Sequence, residues 1–181
     1  PASHESEIFT GDINSQDDLK RFAQNVDVIT FENEFIDGAT IAFLKQHVAV
    51  YPGANALAIT QDRIAEKKLF NTLNIPCADY FEIDNTQQLE NATTTFNYSA
   101  ILKTRRLGYD GKGQCNIKDK NSMPGAITML NDTKGDLILE KKVAFDCEVS
   151  IIAARNSNGD CVYYPLAHNT HVDGILREST A

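Results

Sequence analysis

The sequence predicts an α/β fold up to about Pro52 and an α+β fold from about Pro76 onward. Up to Pro52, helix and strand patterns alternate along the chain, which favours a parallel sheet. From Pro76, short β-branched and aromatic runs dominate, with two helical patterns among them. The sequence contains no internal repeat and no low-complexity segment.

Four elements are predicted in the first part. Ser15 is a helix-capping residue, and apolar residues at helical spacing follow it. The run VDVITFE at 26–32 is β-branched and suits a buried strand. A second helix is expected over 38–47, followed by the short strand VAVYP, which ends at Pro52.

A connecting helical segment and a β-rich region follow. Asp62 can cap a helix that runs to Leu73, and NIP at 74–76 ends it. In the β-rich region we predict helices over 86–96 and 124–130, strands over 80–83, 100–104, 137–140, 148–154 and 162–164, and a hairpin turn at 156–160.

Charge and cysteine usage exclude several classes of function. With 17 basic and 25 acidic residues the net charge is −8, which argues against a nucleic-acid partner because phosphate backbones need a basic surface. No apolar run approaches the ~20 residues of a membrane span, and no signal-peptide pattern is present. The four cysteines form no CxxC pair, so neither a zinc site nor a disulfide framework is predicted. We expect a cytoplasmic protein with reduced, mostly packed thiols.

The densest chemical feature is AILKTRRLGYDGKGQ at 100–114. A strand delivers Lys103, and glycines follow at 108, 111 and 113, where their N–H groups can converge on an anion. This is not a Walker A loop, because no Ser or Thr follows Lys112. It is not a dinucleotide-binding loop either, because the QCNI after it has a strand pattern. A hairpin flap over a nucleotide and a glycine-rich turn with solvated charges both fit, and the motif alone favours the turn.

Two further features are less specific. In LILEKKVAFDCEVS a strand ends at Glu140, a hinge follows, and Glu148 opens the next strand. Such a hinge can offer main-chain groups to an adenine edge, although two strand-end carboxylates are more often solvated. His168 and His171 lie three apart on an extended segment, where they face opposite sides, so no zinc site is predicted.

A family resemblance changes the weight of these features. The segments QDRIAEKKLFNTLNIP, KTRRLGYDGKGQ, FDCEVSIIAARNSNGD and YYPLAHNTHVDGIL stand here in the order and spacing found in 5-(carboxyamino)imidazole ribonucleotide synthases. The resemblance covers nearly the whole chain, and GYDGKGQ followed by HNTHVDGIL is not shared by other ATP-grasp ligases. The flap interpretation of the glycine loop is therefore favoured.

The resemblance implies an ATP-grasp fold with four segments. These are the remainder of an N-terminal α/β domain (1–53), a connecting helical segment (54–75), a lid domain (76–139), and the hinge with the start of the C-terminal grasp domain (140–181).

The resemblance also implies site residues. Lys103 and Lys112 are the candidate catalytic residues, because they would stabilise charge on the transferring phosphate. Glu140 to Val143 match the adenine hinge, with Val143 offering its N–H, and Glu148 matches the ribose-binding acid. The expected ATP-binding residues are Arg63, Lys103, Gly108, Tyr109, Asp110, Gly111, Lys112, Gly113, Gln114, Glu140, Lys141, Lys142, Val143, Glu148 and His171. The expected substrate-binding residues are Glu34, Tyr109, Asp110 and Lys112.

The activity implied by the resemblance is the ATP-dependent carboxylation of aminoimidazole ribonucleotide with bicarbonate, through carboxyphosphate, in purine biosynthesis. ATP and Mg²⁺ are the expected cofactors, and a homodimer is the expected assembly. The alternatives are another ATP-grasp carboxylase or transformylase, or a non-catalytic nucleotide-binding fragment.

Some family features differ or are missing. Leu107 replaces the first of two glycines that often precede the tyrosine, which should stiffen the loop slightly. The glycine-rich N-terminal loop is absent before Pro1, and the Mg²⁺ and bicarbonate ligands are expected beyond Ala181. We therefore expect the chain alone to be inactive, and we expect the loop at 107–113 to be mobile without nucleotide.

Overall fold

A computed structural model of the chain describes residues 7–108, 113–172 and 175–181. The described chain divides after Cys77 into two compact units. Each unit has its own cluster of buried apolar side chains. No helix in the described ranges is both long and apolar enough to cross a membrane.

The first unit consists of a two-stranded parallel sheet and four helices. The elements are α1 (Gln16–Ala23), β1 (Val28–Ile29), α2 (Gly38–Leu44), β2 (Ala49–Val50), α3 (Ala54–Thr60) and α4 (Arg63–Thr72). The predicted parallel pairing is confirmed, with Val28 opposite Ala49. The core of this unit is formed by Leu19, Ala23, Ile29, Ile41, Leu44, Val50 and Leu57.

Local capping explains where the helices of the first unit begin. The Ser15 hydroxyl accepts from the Asp18 N–H at the start of α1, as predicted. Asp62 is buried, and its carboxylate accepts from the N–H groups of Ile64 and Ala65 at the start of α4. The sequence analysis missed α3 as a separate helix, because its short Ala-rich run has no capping side chain at Gly53.

The second unit begins with a four-stranded antiparallel sheet covered by two helices. The elements are β3 (Tyr80–Ile83), α5 (Thr86–Thr95), β4 (Ala100–Thr104), β5 (Gln114–Ile117), a 3₁₀ turn (Lys120–Ser122), α6 (Met123–Thr133) and β6 (Leu137–Lys141). The strand order is β3-β6-β4-β5. Helices α5 and α6 pack on one face of this sheet around a core that includes Leu89, Leu102, Leu130 and Leu139. The predicted strands at 80–83 and 100–104 are confirmed at both ends.

Five short strands complete the second unit. They are β7 (Glu148–Ser150), β8 (Ala153–Arg155), β9 (Cys161–Tyr163), β10 (Ala167–Val172) and β11 (Ile175–Thr180). The single strand predicted over 148–154 is wrong, because β7 pairs with β10 whereas β8 pairs with β9. No Gly or Pro marks this change of sheet, so the apolar run IIAA at 151–154 gave no signal of a break.

The stretch from 140 to 181 has almost no interior. None of its described residues is buried, and 11 of its large apolar side chains are exposed. The expectation of mostly packed thiols is also wrong here, because Cys147 and Cys161 are exposed while Cys77 and Cys115 are half-buried. Burial raises the pKa of the Cys115 thiol.

Candidate active site

The face of the four-stranded sheet opposite α5 and α6 carries an ion pair between two predicted site residues. In β4, Leu102 points into the core, so its neighbour Lys103 lies on the opposite face. Glu140 of β6 is paired with Ile101, which places its carboxylate diagonal to Lys103. The Lys103 Nζ lies 2.8 Å from Glu140 Oε2.

This pair is partly shielded from water. The side chains of Lys103 and Glu140 are 25% and 14% exposed. An ammonium group has three N–H donors, so the contact with Glu140 occupies one and leaves two for other acceptors. Glu140 therefore holds the lysine head near the end of β4, just before the glycine loop begins.

The base of the glycine loop is closed by the last residues of its two strands. The Thr104 N–H donates to the Gly113 carbonyl at 2.9 Å, one step beyond the pair of Lys103 with Gln114. Gly113 has φ +70°, and a Cβ there would lie 2.9 Å from Thr104 Oγ1. A larger residue at 113 would adopt a strained backbone and would force the Thr104 side chain to move, so this close approach favours glycine.

Leu107 lies in the other arm of the loop with a left-handed backbone. Its φ is +60°, and its side chain is 72% exposed. A leucine in this region is strained, since Cβ approaches the following carbonyl. Gly108 follows it in irregular structure, and the predicted site residues Tyr109, Asp110, Gly111 and Lys112 lie outside the described residues.

The predicted hinge is fixed by two main-chain hydrogen bonds. The Lys141 N–H donates to Asp79 O and the Lys142 N–H to Ser99 O, both at 2.9 Å. Within the described part of the chain, the Val143 N–H has no acceptor. The hinge therefore presents the N–H at the position that the family resemblance assigns to adenine.

Glu148 and His171 are brought together by the pairing of β7 with β10. Glu148 lies opposite Asn169, two residues from His171, and Glu148 Oε2 is 2.8 Å from His171 Nδ1. Both side chains remain partly exposed. The pair confirms that β7 and β10 place these residues side by side, 23 positions apart in sequence.

The sequence analysis missed Asn169 in this cluster. Its Oδ1 accepts from Ser179 Oγ at 2.8 Å and lies 3.4 Å from Ser150 Oγ. The spacing of two between Asn169 and His171 was the available signal, because residues i and i+2 share a face of a strand. The signal requires that 167–172 be known as a strand, which was not predicted.

Two predicted site residues lie in the first unit. Glu34 lines a cleft of about 220 Å³ with Phe31 and Pro52, which follow β1 and β2, so the cleft lies beyond the carboxyl ends of parallel strands. Gln61 Nε2 donates to the carbonyl oxygens of Glu34 and Ile36, which fixes this loop. Arg63 is the first residue of α4. The assignments of Glu34 to substrate and Arg63 to ATP stay predictions.

The described residues offer no group of three His, Cys, Asp or Glu side chains that could hold a metal ion. Asp119, outside the candidate site, has a lowered pKa because the Ser122 side chain and backbone donate to its carboxylate.

Comparison with known proteins shows the protein family to which the chain belongs. The family model for the ATP-grasp domain matches residues 68–181, and that for the ribonucleotide synthetase preATP-grasp domain matches residues 1–61. Since the first match covers more than half of the chain, this chain belongs to the ATP-grasp family, as the sequence predicted.

Individual relatives show which members of the ATP-grasp family the chain is similar to. The chain is 42% identical to the N5-carboxyaminoimidazole ribonucleotide synthase of Pseudomonas aeruginosa over 97% of its own length and 48% of the relative. A crystal structure of an ADP complex of such a synthetase is 34% identical with TM-score 0.87, over 93% of this chain and 44% of that one. The Thermus thermophilus synthetase gives 34% identity and TM-score 0.87, over 98% and 47%. The resemblance stated from the sequence is confirmed, and the chain spans about half the length of these relatives.

Proposed function

We propose that the protein containing this chain carboxylates 5-aminoimidazole ribonucleotide with bicarbonate, at the expense of ATP, to give 5-(carboxyamino)imidazole ribonucleotide in purine biosynthesis. The observation that carries the proposal is the position of Lys103. It lies on the sheet face opposite α5 and α6, beside the closed base of the glycine loop, with its head held by Glu140. The Pseudomonas aeruginosa relative, which is 42% identical, is named for this activity as an N5-carboxyaminoimidazole ribonucleotide synthase.

Each part of ATP has a proposed contact. The triphosphate lies against Lys103 and the N–H groups of the glycine loop. The adenine edge lies against the hinge, where Lys141 and Lys142 use their N–H groups internally and Val143 does not. The ribose hydroxyls donate to Glu148, whose carboxylate is held by His171. The crystal structure of a 34% identical relative in complex with ADP supports the proposal that this fold binds a nucleotide.

The proposed reaction has two steps. A bicarbonate oxygen attacks the γ-phosphorus, the bond to the β-γ bridging oxygen breaks, and ADP and carboxyphosphate form. The exocyclic amine of the ribonucleotide then attacks the carboxyl carbon, phosphate leaves with the C–O bond electrons, and the amine loses a proton. In the first step Lys103 balances the negative charge that develops on the transferred phosphoryl oxygens.

Mg²⁺ is the proposed companion of ATP, since it neutralises phosphate charge in such transfers. The described residues do not supply a ligand set for it, so no role in the steps above is assigned to it. A homodimer and a cytoplasmic location are proposed from the family resemblance alone.

The proposal is tested by ATP calorimetry and by phosphate release that depends on both the ribonucleotide and bicarbonate. Both are measured on this chain and on a version extended to the length of the relatives. Lys103→Met should lower the ATP affinity at least tenfold, which corresponds to about 1.4 kcal/mol. Lys118→Met is the matched control, because Lys118 is exposed just after β5.

Removing Lys103 alone leaves Glu140 without its partner, so the double variant Lys103→Met, Glu140→Gln separates binding from folding. It should fold and still bind ATP poorly. ATP binding without turnover in the extended version would favour the alternative, a non-catalytic nucleotide-binding protein. Absence of ATP binding in the extended version would refute both.

A further inference from the structure

One face of the three-stranded sheet β11-β10-β7 carries a row of polar side chains across its middle. Asn169 of β10 is paired with Glu148 of β7 on one side and with Ser179 of β11 on the other. Residues that pair directly in an antiparallel sheet share a face, with Cβ atoms about 4.5–5.5 Å apart. Asn169 therefore lies between a serine and the carboxylate that the family resemblance assigns to ribose.

Contacts between the side chains agree with this common face. The Ser179 hydroxyl donates to Asn169 Oδ1 at 2.8 Å, and the Ser150 hydroxyl lies 3.4 Å from the same oxygen. Ser150 lies two residues after Glu148 on β7, so these two side chains point the same way. His171 reaches the same face, because its Nδ1 lies 2.8 Å from Glu148 Oε2. The five side chains therefore form one continuous polar surface.

The two serine contacts fix the direction in which the Asn169 amide points. Both are made to Oδ1, so Nδ2 and its two N–H donors have no acceptor within the parts of the chain that the structure describes. Asn169 is half-buried, whereas His168 and Thr170 beside it on β10 are exposed. Nδ2 is therefore an oriented donor for which water competes less than at the other face of the strand.

Asn169 supplies what Glu148 lacks for binding a hydroxyl group. A hydroxyl both donates and accepts, but an ionised carboxylate only accepts. His171 occupies Glu148 Oε2, and Oε1 has no donor among the described residues. Oε1 can accept the hydrogen of a hydroxyl while Asn169 Nδ2 donates to its oxygen. The negative charge of Glu148 disfavours a phosphate here, so the chemistry that this pair recognises is a sugar hydroxyl.

We propose that Asn169 is a specificity-determining residue that donates from Nδ2 to a ribose hydroxyl of ATP whose hydrogen Glu148 accepts. This inference rests on the proposed function and adds a residue to its ribose contact. It makes the site selective for ribose over deoxyribose, because removal of the hydroxyl leaves both Asn169 Nδ2 and Glu148 Oε1 without a partner. The aminoimidazole ribonucleotide also carries a ribose, and the ribose of ATP is chosen because Glu148 is assigned to ATP.

The experiment titrates ATP, 2′-deoxy-ATP and 3′-deoxy-ATP by calorimetry into the version extended to the length of the relatives. Asn169→Ala should weaken ATP binding about three- to tenfold, the effect of losing one hydrogen bond. For the analogue that lacks the hydroxyl bound by Asn169, the same substitution should change the affinity by less than about twofold. Asn158→Ala is the matched control, because Asn158 is exposed in the turn between β8 and β9 and should affect none of the ligands.

Asn169→Asp separates loss of the donor from damage to the sheet. It keeps an oxygen for the serine hydroxyls and removes both N–H donors, so it should fold and should bind ATP no better than Asn169→Ala.

Three outcomes would overturn the inference while leaving the proposed function in place. They are unchanged ATP affinity in both variants, an equal loss for ATP and both deoxy analogues, and a loss confined to the aminoimidazole ribonucleotide. The second would show a general disturbance of the site, and the third would move Asn169 to the other ribose. Absence of ATP binding by the unaltered extended protein would instead overturn the proposed function, and this inference with it.

Discussion

Gly135 offers a test of how the turn between α6 and β6 is held in place. It lies at the C-terminal end of α6 with φ +88°, and Gly125 lies near the start of the same helix. Substituting each by alanine adds the same methyl group to the same unit. We expect Gly135→Ala to destabilise the second unit and Gly125→Ala to stabilise it slightly.

The magnitudes follow from the two environments. At Gly135 the left-handed backbone costs an L-residue about 1–2 kcal/mol. The new Cβ would also lie 3.1 Å and 3.3 Å from the O and Cα atoms of Asp84, which are backbone atoms and yield little. We therefore expect a loss of about 2–3 kcal/mol. At Gly125 the nearest atom is Cys115 Sγ at 3.9 Å, and a helical Gly→Ala change gains about 0.5–1 kcal/mol.

The assay must report the second unit alone, because two separate cores make a single melting curve ambiguous. Amide hydrogen exchange in β4 and β6 gives the opening free energy of that unit. A Gly135→Ala change below about 0.5 kcal/mol would refute the reasoning, because it would mean that the turn relaxes freely. So would an equal loss from Gly125→Ala, since that would make the methyl group itself the cause.

Three further predictions concern single side chains. Glu148→Ala in the extended version should weaken ATP binding about tenfold or more by calorimetry, through loss of charge-assisted bonds to the ribose, and unchanged affinity in a folded variant removes Glu148 from the site. Leu107→Gly should raise the opening free energy of the second unit by about 0.5–1 kcal/mol, measured by amide hydrogen exchange in β4 and β6, because glycine tolerates φ +60° better than leucine does. A decrease in this free energy would contradict the argument that Leu107 is strained. Thr93→Val should stabilise by about 1 kcal/mol, because the fully buried Thr93 hydroxyl has no hydrogen-bond partner among the described residues. Thr94→Val, whose exposed hydroxyl donates to Glu90 O, should bring no gain, and equal effects of the two would reject this account.

Local signals in the sequence were sufficient to predict most of the helices and the strands of the four-stranded sheet. Ser15 and Asp62 mark helix starts because their side chains bond N–H groups two or three residues away. The ends of the strands at 80–83 and 100–104 were predicted. Such features depend on neighbours within a few residues, which a sequence pattern contains.

Contacts between distant segments were not predictable in the same way. Lys103 and Glu140 are 37 residues apart, and their pairing depends on the β4–β6 register, which the strand patterns do not determine. The Arg105–Asp136 contact depends in addition on a turn with three left-handed residues, of which only Gly135 is a recognisable signal. The division of 148–154 between two sheets is likewise a matter of partners and not of local pattern.

The exposed apolar side chains of the stretch from 140 to 181 have a practical consequence for handling the chain. Ile152, Val162, Tyr163 and Tyr164 are each more than 60% exposed, beside strands that pair with one neighbour only. Surfaces of this kind attract one another, so self-association should grow with protein concentration and with salts that strengthen apolar burial. Ligand titrations on the chain therefore belong at low micromolar concentration, with light scattering recorded alongside, so that a change in particle size is not mistaken for binding.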